Sequence, residues 1–285
     1  KRLTDPEIAA LVEGFDPDKY NDNATLGENL LFGTPVGPGF VMDRLAENEY
    51  VLNLLESEGL IDLMLDAGQQ IASTMTELFA DLPPGHPFFE QFSFISAEDL
   101  PEYQAVLTRI SRDGLAALKP EERTMLLSLP FKVSPARHRL GVIDESMQER
   151  ILTARKAFAE NLPEEYKGAV EFFDVDAFNA AASLQDNILF GKLAYGQARG
   201  AERVGEIMAQ VIDDLDLRAA VMEVGLNFHV GNGGGRLSGA QRQKLGIARA
   251  VLKRPDVLIL NEATGSLDGA AQTAIMSGLK TEFDG

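Results

Sequence analysis

The sequence has 285 residues, 45% of them apolar, enough to fill a sizeable core in one large domain or two ordinary ones and too many for a disordered chain. Lys and Arg number 26 against 44 Asp and Glu, and the resulting charge of −18 repels a phosphate backbone, so sequence-independent nucleic-acid binding is disfavoured. With no cysteine there are no disulfides and no thiolate chemistry, which suits a reducing compartment. No run approaches the roughly 18 apolar residues of a membrane-spanning helix, and no charged-then-apolar leader opens the chain. The start at Lys1 without Met and the end at Asp284-Gly285 read as the boundaries of a piece of a longer polypeptide.

Helical periodicity dominates the chain. Between Val41 and Phe79 the apolar spacing predicts two helices, with a break near Gly59 and a stop at the Leu82-Pro83-Pro84-Gly85-His86-Pro87 stretch. Ser96-Ala97-Glu98-Asp99 has the form of a capping box and predicts a helix onward to Leu118, with Pro101 in its first turn, where proline is tolerated. Further helices are expected at residues 120–127, 145–160 and 163–173. Across residues 198–215, Val204, Ile207, Met208, Val211, Ile212 and Leu215 fall on one face with acids opposite, the pattern of a surface helix docked on a core. Strand signals are thin. Only residues 256–260 read as a buried strand, a short apolar run after Pro255 and before polar residues, as in a parallel sheet covered on both faces.

Residues 20–33 (YNDNATLGENLLFG) match residues 178–191 (FNAAASLQDNILFG) at a constant offset of 158, with seven of fourteen positions identical and four more conservatively replaced. On one reading this is a helix start used twice, with Thr25 or Ser183 as N-cap, an acid in the first turn and apolar residues that pack. On the other, a longer segment was duplicated and the helices between the copies were inserted.

The chemistry sits near the C-terminus. Gly231-Asn232-Gly233-Gly234-Gly235 is a flexible turn, and Arg236-Leu237-Ser238-Gly239-Ala240-Gln241 opens a helix with Ser238 as N-cap. The glycines keep side chains away from the first free N–H groups, so such a helix start is a phosphate site. Lys244, Arg249, Lys253 and Arg254 complement the far end of the helix dipole. Pro255 ends the helix, and Asn261-Glu262 falls at the C-terminal edge of the expected strand, where ligands bind in parallel α/β sheets. A carboxylate there can accept a proton from an attacking water.

Residues 236–268 (RLSGAQRQKLGIARAVLKRPDVLILNEATGSLD) resemble the signature helix, Walker B strand and D-loop of ABC ATPases, in that order and with family spacing, with Ala240 in place of the second glycine of the usual L-S-G-G-Q. Residues 178–235 fit more loosely as the helical subdomain before the signature, and the Asn-Ile-Leu-Phe-Gly wording resembles exporter-type nucleotide-binding domains. The implied fold is predominantly α with a small α/β part: an ABC ATPase helical subdomain plus the signature-helix and Walker-B portion of a P-loop NTPase. The implied divisions are residues 1–175, a helical insertion that includes the first repeat copy; residues 176–236, the helical subdomain; and residues 237–285, the signature helix, Walker B strand and D-loop.

The resemblance implies that Leu237, Ser238, Gly239, Ala240 and Gln241 contact the γ-phosphate of ATP held by a partner's P-loop. It makes Glu262 the general base, and Ser266, Leu267 and Asp268 the D-loop. The implied cofactors are ATP and Mg²⁺, and the implied partners are a second nucleotide-binding domain, head to tail, and a transmembrane domain, at the cytoplasmic side of the cell membrane. Several positions depart from the family. Asn261 replaces the Walker B aspartate, and an amide lacks the charge that holds Mg²⁺. The 285 residues contain no G-x-x-x-x-G-K-[ST], no glutamine in the Q-loop place before either repeat copy, and no histidine in the H-loop role.

The expected function is that of part of the ATP-binding subunit of an ABC transporter, with the chain alone inactive. One alternative is a catalytically degenerate ABC domain whose insertion serves regulation or protein interaction. Another is a soluble ABC ATPase of DNA repair or chromosome maintenance, disfavoured by the acidic balance. Elsewhere, Arg137-His138-Arg139 reads as a solvated loop with one satisfied histidine, His86 and His229 as loop residues, Phe88-Phe89-Phe92-Phe94 as core, and the acidic run 56–66 as solvated helix faces.

Overall fold

Twelve helices and four strands of three residues each account for the regular structure in the computed structural model, which describes residues 9–79, 81–82, 95–235 and 237–283. The Pro83–Pro87 breaker, His86, the 88–94 aromatic cluster and Arg236 lie outside the described residues. The chain divides into two units after Ile207.

In the first unit the order is β1 (Val12–Gly14), α1 (Leu26–Leu31), β2 (Gly33–Pro35), a 3₁₀ turn (Met42–Glu47), α2 (Glu49–Ser57), α3 (Ile61–Phe79), α4 (Leu100–Asp113), α5 (Pro120–Phe131), α6 (Pro135–His138), α7 (Glu145–Glu160), β3 (Val170–Phe172), α8 (Leu184–Leu189) and β4 (Gly191–Leu193). α9 (Gly200–Asp214) spans the point of division. The predicted pair of helices before Phe79 forms as α2 and α3, with Gly59 at φ +63 between them. α7 has the predicted bounds, and Asp144 caps it by accepting from the Met147 N–H at 2.8 Å.

α1, α2, α3, α5 and α7 share one core, in which Leu26, Leu30, Leu55, Met64, Ile71, Leu126, Ile151 and Phe158 are sealed from solvent. Each such side chain contributes about 1.5–3 kcal/mol by burial. α3 and α5 approach so closely at Gly68 that a Cβ there would collide with the Leu126 carbonyl. The acids of the 56–66 run are exposed or half-buried on the outer faces, as the sequence implies. His138 is satisfied as expected, its Nδ1 accepting from the Ser134 N–H at 2.9 Å, but the expected loop is the short helix α6, which Arg139 ends in the left-handed region at φ +49. Burial, with Arg137 beside it, pushes its pKa down to about 4.

Three local expectations need correction. Residues 163–173 do not form a helix: a 3₁₀ turn (Glu164–Tyr166) leads through Gly168, at φ +79, into β3. What decides this is pairing with β2, a partner remote in sequence that helical periodicity cannot see. Ser96 and Asp99 make a turn and not a reciprocal capping box, Ser96 Oγ accepting the Asp99 N–H at 3.2 Å and donating to Asp99 Oδ2 at 2.7 Å; α4 begins at Leu100 and stops at Gly114, φ +80, short of Leu118. Residues 256–260 form no strand, and Val257 and Ile259 are 76% and 85% exposed. A parallel strand is stabilised only by neighbours on both sides, and no described segment pairs with this one.

The repeat builds one local structure twice, and it extends upstream of the matched fourteen residues to Val12/Val170, Glu13/Glu171 and Phe15/Phe173. Thr25 and Ser183 cap α1 and α8, as the sequence suggests. Asn29 Oδ1 accepts from the Asn21 N–H at 2.9 Å and Asn187 Oδ1 from the Asn179 N–H at 2.8 Å. The carboxylates of Glu13 and Glu171 accept the N–H groups that open each loop, at Asp22 and Asn23 and at Ala180 and Ala181. Phe32 and Phe190 end the helices in the left-handed region at φ +42 and +43.

The copies then exchange strands. β1 pairs antiparallel with β4 in register Val12↔Leu193, and β2 with β3 in register Gly33↔Phe172. Phe15 and Phe173 stack on one another, ring centroids 4.1 Å apart and planes 14° apart, where a local two-fold axis would run. The repeat is therefore an intramolecular pseudo-dimer, and the helices between the copies leave and return at β2 and β3.

Candidate functional site

The second unit contains α10 (Arg218–Leu226), a 3₁₀ turn (Asn232–Gly234), α11 (Gly239–Val251) and α12 (Gly269–Phe283). α11 starts where the sequence places it. Ser238 is extended, at φ −63 and ψ 161; its Oγ accepts from the Gln241 N–H at 3.2 Å, and Gln241 Oε1 accepts from the Ser238 N–H at 2.8 Å. This reciprocal box fixes the first turn. Leu237, half-buried, donates its N–H to the Gly234 carbonyl at 2.9 Å and closes the glycine turn against the helix.

The first N–H groups of a helix lack intrahelical acceptors. Since Gln241 spends its own on Ser238, those of Gly239 and Ala240 are left at a helix start whose Ser238 and Gln241 are exposed. Such a turn fits an anion.

The residues after the expected strand fold back onto this turn. A Cβ on Gly239 would stand 3.1 Å from Ser266 Oγ, so a side chain at this position would press on Ser266. Gln243, one turn into α11, accepts from the Ser266 N–H at 2.9 Å and donates to the Glu262 carbonyl at 3.3 Å. Sequence reasoning missed Gln243; the available signal was a long amide four residues after Gly239, on the same face of the helix.

Glu262 adopts φ +47 and opens a tight segment in which Gly265 donates to its carbonyl, while Leu267 is buried. Asp268 Oδ1 accepts from the Ala271 N–H at 2.8 Å, so its carboxylate serves as a cap for α12. Asn261 and Glu262 are exposed. No group of three or more acids or histidines is placed to hold a metal among the described residues. Asn261 and Glu262 alone make a poor Mg²⁺ site, since one neutral amide and one carboxylate fall short of the charge and oxygen donors that a hard cation takes. The residues of this chain thus fit a phosphate at the start of α11 and do not by themselves fit the metal.

A separate cleft of about 180 Å³ lies in the first unit at the junction of the two repeat copies, lined by Phe15, Phe173, Glu28 and Lys192 among others. Lys192 Nζ is 3.0 Å from Glu28 Oε1, and Asp186 adds a second carboxylate to the lining.

Comparison with known proteins gives one consistent family. The family model described as "ABC transporter" matches residues 131–265, a match that opens within α5 and takes in the second repeat copy and the signature. The ATP-dependent lipid A-core flippase of Xylella fastidiosa (strain Temecula1) is 41% identical over 99 residues, 34% of this chain and 16% of that protein. The flippase of the same name from Xanthomonas euvesicatoria pv. vesicatoria is 42% identical over 97 residues, 34% of this chain and 16% of the relative. An uncharacterized ABC transporter ATP-binding protein of Bacillus subtilis, YwjA, is 34% identical over 121 residues, 42% of this chain and 20% of its own length. The chain thus covers between 16% and 20% of the length of these relatives. No solved structure matches it significantly.

Proposed function

We propose that this chain, which carries an ABC transporter nucleotide-binding segment, supplies the signature half of an ATP sandwich in an exporter-type transporter. The observation that carries the reading is the meeting of two motifs: Gly239, at the start of α11, lies against Ser266, and Gln243 binds both Ser266 and Glu262. Ser238, Gly239, Ala240 and Gln241 then hold the terminal phosphate of ATP seated on a second nucleotide-binding domain. Ser266 and Asp268 face that domain, and Glu262 orients and deprotonates the attacking water. The nucleotide-binding domains work beneath a transmembrane domain on the cytoplasmic side of the membrane; no helix among the described residues is long and apolar enough to cross it. The three divisions, residues 1–175, 176–236 and 237–285, belong to the same proposal.

The test uses the parent polypeptide with its P-loop. Ser238→Arg should lower ATP turnover about 100-fold, the scale of removing one preorganised group from a charged transition state, with ATP binding unchanged. Turnover that survives Ser238→Arg overturns the reading. The 285 residues alone should show none with Mg-ATP, and turnover abolished by Glu262→Gln would contradict that.

Asn261 favours a second reading, in which the domain binds ATP without turning it over and the helices between the repeat copies act as a regulatory or interaction module. In the parent, Asn261→Asp then raises turnover well above the starting level. Robust hydrolysis with Asn261 in place excludes it.

A further inference from the structure

The cleft at the junction of the repeat copies takes its walls from both, and the local two-fold axis relates those walls residue by residue. Phe15 of copy one and Phe173 of copy two stack across the axis, and the Phe32 ring stands nearly perpendicular to both, at 80° and 86°. With Met42 these rings make the apolar side of the cleft. At the constant offset of 158, Glu28 of copy one corresponds to Asp186 of copy two, and Thr34 to Lys192. All four line the cleft, and all four are half-buried.

The symmetry holds for the carboxylates and fails for the cation. Glu28 is engaged through both oxygens: Oε1 pairs with Lys192 Nζ at 3.0 Å, and Oε2 accepts the Thr25 N–H at 2.8 Å in the capping box of α1. Lys192 Nζ also stands 6.0 Å from the centre of the Phe15 ring. On the other side, the Asp186 N–H donates to Ser183 Oγ at 3.0 Å, and the side chain is one carbon shorter than that of Glu28. Where the mate of Lys192 would stand is Thr34, which carries a hydroxyl and no charge. Two carboxylates and one ammonium leave the cleft with one net negative charge, set beside aromatic rings. A half-buried carboxylate in such surroundings is stabilised by a cation that hydrogen-bonds to it.

Size and donor set select the cation. The cleft measures about 180 Å³, and a cavity of about 150 Å³ takes a benzene-sized ring. A metal ion is a poor occupant, because a hard cation takes a full shell of oxygens and these walls are largely apolar. An anion would meet the surplus carboxylate. We propose that the cleft binds a small arylalkyl ammonium, its ring against Phe15, Phe32 and Phe173 and its charge on Asp186 and Thr34, in the place that Lys192 takes on the Glu28 side. The ammonium donates to the Asp186 carboxylate and the Thr34 hydroxyl, and the ring gains by leaving water. Because the walls come from both copies, the ligand bridges them, and its binding stabilises the first unit by linkage. This inference rests on the internal repeat and stands independently of the nucleotide reading.

The probe is 2-phenylethylamine, titrated at neutral pH against the full 285-residue chain and followed by ligand NMR and thermal denaturation. Saturable binding and a rise in unfolding temperature are expected. 2-Phenylethanol keeps the ring and loses the charge, so it should bind about tenfold more weakly, and 3-phenylpropionate should not bind. Asp186→Asn should weaken the amine by about tenfold and leave the alcohol as before, a split that damage to the fold would not produce. Thr34→Lys supplies the ammonium from the chain itself and should abolish amine binding, with the urea midpoint unchanged or raised. Absence of saturable binding, equal affinity for amine and alcohol, or amine binding that survives both variants would each overturn the proposal. The longer parent polypeptide should bind the amine with the same affinity. Loss of binding there would mean that another segment of the parent fills the cleft, and would overturn the site.

Discussion

Tyr20 and Phe178 occupy the same place in the two repeat copies and meet opposite environments. The Tyr20 hydroxyl is buried beside Asn29 without hydrogen-bond geometry to any described group, and burial, with Asp22 nearby, drives its pKa far above that of an ordinary phenol. It stays protonated at any physiological pH and contributes a buried polar group with no compensating bond. Such a group costs about 1 kcal/mol or more, so Tyr20→Phe, which copy two already adopts, should leave stability unchanged or raise it by about 1 kcal/mol. Urea denaturation checks this, and a clear loss would mean that the hydroxyl has a partner. Arg155 is the converse case. Burial lowers its pKa to about 10, so it remains charged at neutral pH, and it survives in the core because its donors meet carbonyl and amide oxygens.

At the scale of elements, the glycine that ends each Leu-Phe-Gly run is required by strand pairing. A Cβ on Gly191 would collide with the Glu13 carbonyl across the β1–β4 ladder, and one on Gly33 would stand 2.7 Å from the Glu171 carbonyl across β2–β3. Neither backbone can retreat without loosening its ladder. Gly191→Ala should therefore cost about 2 kcal/mol, in the range of other overpacked positions. Gly205→Ala, in α9 with nothing within 4 Å, should gain about 0.5–1 kcal/mol from helix propensity. The two denaturation midpoints, shifted in opposite directions, form one measurement; a shift of the same sign in both would refute the close-approach account.

For the molecule as a whole, burial is distributed unevenly between the units. Nearly all sealed apolar side chains belong to the first, whereas in the second only Ile247 and Leu267 are buried among the described residues. Leu226, Phe228, Leu252 and Ile259 are each more than half exposed there. With so little buried apolar area to offset chain entropy, opening of the second unit should cost little free energy. Amide exchange should be much faster in α10 and α12 than in α3, α5 and α7, and limited proteolysis should cut beyond residue 208 first. Equal protection in both units would mean that the second is stable by itself.

The sequence by itself determined whatever depends on neighbours within a few residues. α7 and the start of α11 were legible because a capping residue followed by helical spacing satisfies the first N–H groups locally, and the repeat was legible because the two segments keep the same capping, asparagine and Phe-Gly positions at a constant offset. The resemblance to the ABC family was legible from the wording and order of residues 236–268. Tertiary structure alone decided the rest. β3 replaced an expected helix because its hydrogen-bond partner, β2, lies across the whole helical segment. Residues 256–260 stayed exposed because a buried strand is a property of its neighbours, which are not among the described residues. Arg155, Gln243 and the exchange of strands between the repeat copies became visible only when distant segments met, since their energies come from contacts that no local pattern records.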